Sequence, residues 1–256
     1  MTSSVTSFVL SRVEDGIGFL TLNDPDRLNP VTFERIAQIN TAAREMSARD
    51  DVRVVVVTGA GRSFCAGADL AGEDTFLTDD SPPASGSVVA APGLWTLTAM
   101  PQPVIAMING PAVGYGLELA LQADIRVAGA SARIGHPAAK LGAITDTGAA
   151  TWLLPRLVGP GVAAEILFSG QLYDAEAALR MRLVNHVVPD AELSAFTTEL
   201  AATIAANSPW AVRTTKRLLF NALEDTSRGA VLEQYLHVND GDPDYDPSVH
   251  LARFRR

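Results

Sequence analysis

The chain has 256 residues, 47% of them apolar, with a formal net charge of −9 and a single cysteine, Cys65. That length and apolar content suffice for one large domain with a real core and a helical appendage. The acidic balance argues against a nucleic-acid-binding surface, no apolar run approaches the ~20 residues of a membrane span, and one cysteine excludes an intramolecular disulfide. Because Met1-Thr2-Ser3-Ser4 carries no basic, apolar leader, a cytoplasmic protein is expected.

In chain order, Phe8-Val9-Leu10 and Ile17-Gly18-Phe19-Leu20-Thr21-Leu22 flank Glu14-Asp15-Gly16, a hairpin signal. A helix is predicted over 32–48, with Phe33, Ile36, Ile39, Ala43 and Met46 on one stripe. Val54-Val55-Val56-Val57 is a β-branched run of the kind buried on both faces of a parallel sheet. It leads into Thr58-Gly59-Ala60-Gly61-Arg62-Ser63-Phe64-Cys65-Ala66-Gly67-Ala68-Asp69-Leu70, where small residues let backbone approach a ligand. The stretch 72–92, with Asp79-Asp80-Ser81-Pro82-Pro83, reads as a mobile loop, either an active-site lid or a plain connection.

A second strand-and-loop unit repeats the design. Pro103-Val104-Ile105-Ala106-Met107-Ile108 reads as a buried strand that runs into Asn109-Gly110-Pro111 and then Gly114-Tyr115-Gly116. A helix follows with Glu118 in its first turn. The first turn of a helix has unpaired N–H groups, and residues three apart share a face. The Tyr115 N–H and the Glu118 carboxylate are therefore placed to serve one substrate, as donor to an oxygen and base to a carbon, which suits an enolate. Glu118 also has a plainer reading, as a charge favourable near a helix N-terminus. Beyond Asp174 helices dominate, interrupted by a strand at Asn185-His186-Val187-Val188 and by Pro189 and Pro209.

Other chemistries find no support. Gly114-Tyr115-Gly116 lacks the third glycine of a dinucleotide fingerprint, no glycine-rich loop ends in a phosphate-binding lysine, and no G-x-S-x-G elbow occurs. His136, His186, His237 and His250 are scattered without metal-ligand spacing, so no metal is expected. Each reads as a surface or core residue, except that His136 lies near the expected pocket.

The two strand-and-loop units together resemble the crotonase (enoyl-CoA hydratase/isomerase) superfamily. The carriers are Phe64-Cys65-Ala66-Gly67-Ala68-Asp69-Leu70, the run from Asn109-Gly110 to Glu118-Leu119-Ala120, and Asp124-Ile125-Arg126-Val127-Ala128. Thr151-Trp152-Leu153-Leu154-Pro155-Arg156-Leu157-Val158-Gly159 and Ser208-Pro209-Trp210-Ala211-Val212-Arg213-Thr214-Thr215-Lys216 continue the likeness, which covers roughly 5–225. It implies an α/β fold, a crotonase-like spiral of ββα units over 1–195, with a C-terminal helical trimerisation region over 196–256. It also implies a homotrimer or a dimer of trimers, and a coenzyme A thioester as substrate with no cofactor.

The resemblance further implies an oxyanion hole from the backbone N–H groups of Ala66 and Tyr115. The acyl-CoA would lie along Ala66, Gly67, Ala68, Asp69, Leu70, Gly114 and Tyr115, with Arg27 near the diphosphate. The Asp69 carboxylate reads as ordering its own loop. Hydratases of the family use two glutamates: Glu118 matches the first, whereas Ala138 in His136-Pro137-Ala138-Ala139-Lys140 occupies the place of the second. Asp146 in Gly142-Ala143-Ile144-Thr145-Asp146 matches the acid of isomerase members, or caps a helix starting near Thr147. Three functions follow: an isomerase that moves a double bond without taking up water, a hydratase using Glu118, and a catalytically weak acyl-CoA-binding protein.

Overall fold

The computed structural model describes residues 7–70, 96–145, 149–224 and 248. The expected loop at 72–92 and Asp146 lie outside the described residues. β1 (Val9–Glu14) and β2 (Ile17–Leu22) form the expected hairpin, with Glu14 opposite Ile17. Asp15 and Gly16 between them have φ of 50° and 77°, the two left-handed residues that a two-residue hairpin turn requires.

The chain continues through α1 (Phe33–Ser47), β3 (Val54–Gly59), β4 (Val104–Ile108), β5 (Ala112–Val113) and α2 (Tyr115–Leu121). Then come β6 (Ile125–Gly129), β7 (Arg133–Gly135), α3 (Ala150–Val158), α4 (Pro160–Ser169), β8 (Leu172–Asp174) and α5 (Ala175–Arg180). β9 (His186–Val188), α6 (Leu193–Ala205) and α7 (Pro209–Glu224) complete the described elements. One sheet has the order β1-β2-β3-β4-β6-β9, and every pair but the hairpin is parallel. A smaller sheet has the order β5-β7-β8, with β5 and β7 parallel and β7 and β8 antiparallel.

Strand alternation divides the core. Leu20, Leu22, Val55 and Val57 pack with Ile36, Ile39, Ala43 and Met46 of α1, whereas Ile17, Phe19, Val54 and Val56 pack with Leu193, Ala201 and Ala205 of α6. The sheet is thus covered on both faces, which is why β3 reads as an unbroken apolar run rather than an alternating one. Each fully buried valine contributes roughly 1.5–3 kcal/mol of transfer free energy.

Thr32 caps α1 by accepting a hydrogen bond from the Arg35 N–H at 3.3 Å. Phe33, expected on the buried stripe, stands at the helix end and is 57% exposed. The boundary expected after 195 falls inside α6, a helix whose apolar face belongs to the sheet's core. α7 is tied to the same sheet by the buried Lys216, which donates to Asp124 Oδ2 at 2.7 Å and to the Gln102 carbonyl at 2.9 Å. Burial raises the Asp124 carboxyl and lowers the Lys216 ammonium, and each charge offsets the other's cost.

Candidate active site

The loops that follow β3 and β4 meet because side-chain amides stitch them together. Asn109, just beyond β4, donates from Nδ2 to the Gly59 and Gly61 carbonyls at 2.8 and 2.9 Å. Asn29 donates to the Ser63 and Ala60 carbonyls at 2.8 and 3.0 Å, and accepts from the Asp24 N–H at 2.8 Å. These bonds satisfy backbone groups that an irregular loop leaves without ladder partners. Sequence reasoning missed the role of both residues. The available signal was an asparagine directly before Pro30 and directly before Gly110, a polar side chain at a turn inside an otherwise buried stretch.

The Cys65 amide donates to the Pro111 carbonyl and the Val113 amide to the Cys65 carbonyl, both at 3.0 Å. This brings Gly67 against Val113. Gly67 has φ of 95°, and a Cβ there would stand 2.6 Å from the Val113 carbonyl oxygen, so glycine is needed on both counts. Gly116 in α2 is equally tight, since its Cβ would stand 2.1 Å from the Cys65 carbonyl oxygen. Gly116→Ala is therefore expected to destabilise the fold by about 1–3 kcal/mol through overpacking, against alanine's ~1 kcal/mol helix preference. Urea unfolding measures this; a midpoint equal to or above that of the parent chain would contradict the packing.

The same loops decide which amides are available. Ala66, expected as an oxyanion donor, gives its N–H to the Leu28 carbonyl at 3.0 Å. Leu28 and Asn29 are both left-handed, with φ of 68° and 56°, and this local geometry presents the carbonyl that takes the Ala66 amide out of use. Two residues on, the bridge between Val31 and Ala68 uses the Gly67 carbonyl and the Asp69 amide. In a parallel pairing the intervening residue turns its own N–H and C=O to the other side. The amides of Ala68 and Tyr115 form no hydrogen bond among the described residues. Both residues line a cavity of about 150 Å³ with Gly67, Gly114, His136 and Ala138. An unpaired backbone donor on a residue that lines such a cavity can stabilise an oxygen that gains negative charge.

Glu118 lies behind this cavity. It is fully buried in α2, and its Oε1 is 3.1 Å from His136 Nε2. His136, which precedes the turn at Pro137–Leu141, is 6% exposed and forms part of the cavity wall. The second ring nitrogen, Nδ1, has no hydrogen-bond partner among the described residues. The two residues thus form a buried hydrogen-bonded pair, with His136 in the cavity wall.

The remaining expected residues divide. Leu70 lines the cavity together with Leu141 and Ile144, forming an exposed apolar rim. The Asp69 carboxylate is buried and paired with Arg27, Nη2 to Oδ2 at 2.7 Å, while Arg27 remains about half exposed. Asp69 therefore orders the loop, and only the arginine side of the pair faces solvent. Cys65 is enclosed, and burial pushes its thiol up to about 12, which makes it a packing residue rather than a nucleophile. Burial likewise raises the Tyr115 phenol. The helix expected near Thr147 begins at Ala150 instead, with the left-handed Ala149 at its N-cap and no capping side chain.

Parallel strands thus end in two loops whose residues line one small cavity. The chain belongs to the enoyl-CoA hydratase/isomerase family, whose model matches residues 12–241. It is 43% identical over 198 residues to the "Probable enoyl-CoA hydratase EchA14" of Mycobacterium tuberculosis, covering 77% of this chain and 75% of that one. It is 37% identical over 221 residues to the 1,2-epoxyphenylacetyl-CoA isomerase of Escherichia coli, covering 86% and 84%. Among solved structures, the enoyl-CoA hydratase of Bacillus anthracis superposes with a TM-score of 0.82 at 29% identity, covering 97% of both chains. The protein is an acyl-CoA-processing enzyme with the crotonase fold. No helix among the described residues is long and apolar enough to cross a membrane, and no cluster of three metal-ligating side chains occurs among them.

Proposed function

We propose that the chain moves a double bond within an enoyl-CoA thioester, converting a 3-enoyl to a 2-enoyl group. The thioester oxygen lies between the amides of Ala68 and Tyr115, which hold it as the enolate forms. One observation carries this reading: Ala138, in the place of the hydratases' second glutamate, puts a methyl group in the cavity wall. Water addition with two carboxylates is not available at that position, whereas migration needs one group that takes a proton from one carbon and returns it to another. Asp146 is that group, with Glu118 as the second carboxylate of the site. One of the relatives is named as an isomerase of a CoA thioester.

Coenzyme A lies along the 66–70 loop, with the exposed guanidinium of Arg27 beside its phosphates. Migration is redox-neutral and calls for no redox cofactor. The test is conversion of a 3-enoyl-CoA, followed by the rise in absorbance of the conjugated thioester. Migration is expected to outpace water addition to crotonyl-CoA, and absence of any such rise would overturn the reading. We further propose a homotrimer or a dimer of trimers, with the chain from Ser208 onward in the contacts; a monomer mass by light scattering at micromolar concentration would refute it.

A further inference from the structure

We infer that Leu70, Leu141 and Ile144 select the acyl group. The site takes plain hydrocarbon chains longer than about four carbons, lays their outer methylenes on these three side chains, and disfavours acyl groups that end in a charge. The inference rests on the acyl-CoA cavity proposed above and names the class of thioester it takes, but it does not depend on double-bond migration.

The cavity is too small to enclose a long acyl group. Its volume is about 150 Å³, and a cavity of that size holds about one benzene, or six carbon-sized groups. A thioester with its oxygen beside Ala68 and Tyr115 fills that space with its sulfur, its oxygen and roughly its first four carbons. Carbons beyond these lie outside the enclosed space. What stands at the mouth is hydrocarbon: Ile144 is 96% exposed and Leu70 and Leu141 are each 54% exposed, yet all three line the cavity. Single exposed apolar side chains are ordinary. Three of them around one opening form a patch of the kind that marks a ligand groove. Leu70 stands on the loop after β3, whereas Leu141 ends the turn after β7 and Ile144 follows it. A chain leaving the cavity therefore meets side chains from two separate segments.

The polarity of the wall assigns the rim to the acyl chain rather than to coenzyme A. Among the described residues no charged side chain lines the cavity, and its polar side chains are those of Tyr115 and His136, both buried. The pantetheine arm carries amides and a hydroxyl, which hydrocarbon side chains leave without partners. A carboxylate at the end of an acyl chain fares worse, because it loses water and meets no cation in the wall. Lys140, on the same turn as Leu141, lies outside the wall and runs its stem past Gly170.

The test titrates the full chain calorimetrically with saturated acyl-CoAs, which bind without migrating. Each methylene taken up by the rim is expected to tighten binding about two- to fourfold, the upper value being that of a fully buried CH₂. Octanoyl-CoA is thus expected to bind at least about tenfold tighter than butanoyl-CoA. An eight-carbon acyl group ending in a carboxylate is expected to bind at least about tenfold more weakly than octanoyl-CoA. Changing Leu141→Ser and Ile144→Ser together, both at exposed positions, is expected to bring the octanoyl and butanoyl affinities within about threefold of each other. Ile144→Lys is expected to favour the carboxylate-ended group relative to octanoyl-CoA, a shift that a merely structural role would not produce. Equal affinity of the parent chain for butanoyl- and octanoyl-CoA, or an unchanged ratio in the double variant, overturns the inference. The same gradient without turnover of any 3-enoyl-CoA overturns the isomerase reading alone, and absence of acyl-CoA binding overturns both.

Discussion

Ala68→Pro is expected to lower turnover by about 10²–10³-fold, the loss of roughly 3–4 kcal/mol that removal of one oxyanion donor produces. Proline removes the N–H and nothing else at this residue that the fold uses, because the bridge to Val31 is made by the Gly67 carbonyl and the Asp69 amide. Gly67 just before it has no Cβ to meet the proline ring. The melting transition should therefore move little while kcat collapses. Ala66→Pro is the contrasting variant. It removes a bond to the Leu28 carbonyl, so its loss of activity should come with a lowered melting temperature. Near-normal turnover by folded Ala68→Pro would remove Ala68 from the site.

Asp146→Asn is expected to lower migration by about 10²-fold or more, the scale of general acid–base catalysis. The replacement is nearly isosteric and keeps its capping ability, so stability should be little changed. Forming the enolate needs a base, and reprotonation at another carbon needs an acid close by; one carboxyl group within reach of both carbons serves as each in turn. The alternative of a cap on α3 is weakened by that helix's start at Ala150 with Ala149 at the N-cap. Steady-state rates with a 3-enoyl-CoA check the prediction. If Asp146 leads, Glu118→Gln costs migration less than Asp146→Asn does, and the reverse ranking would return the proton transfer to the Glu118 pair.

The repeated strand-and-loop pattern was legible because it is local. A β-branched run with small residues after it marks β3 and its loop, and an apolar run ending in Asn-Gly-Pro marks β4. The hairpin at Asp15-Gly16 and the cap at Thr32 are equally short-range signals. Glu118 was visible for the same reason, since one turn of helix links it to the Tyr115 amide.

What the residue order by itself determined, then, is the fold, the two loops that meet, and the presence of a carboxylate beside them. Tertiary structure alone decided which amides remain free and which side chain faces the pocket. The Ala66 amide is spent on Leu28, a residue whose left-handed backbone no pattern in the chain announces, whereas the Ala68 amide has no partner among the described residues. Glu118 is withdrawn behind His136, which comes from a different strand and turn. Both outcomes depend on hydrogen bonds between segments far apart in the chain. Secondary structure follows from near neighbours, but the availability of a donor or a base depends on every partner the fold brings within about 3 Å of it.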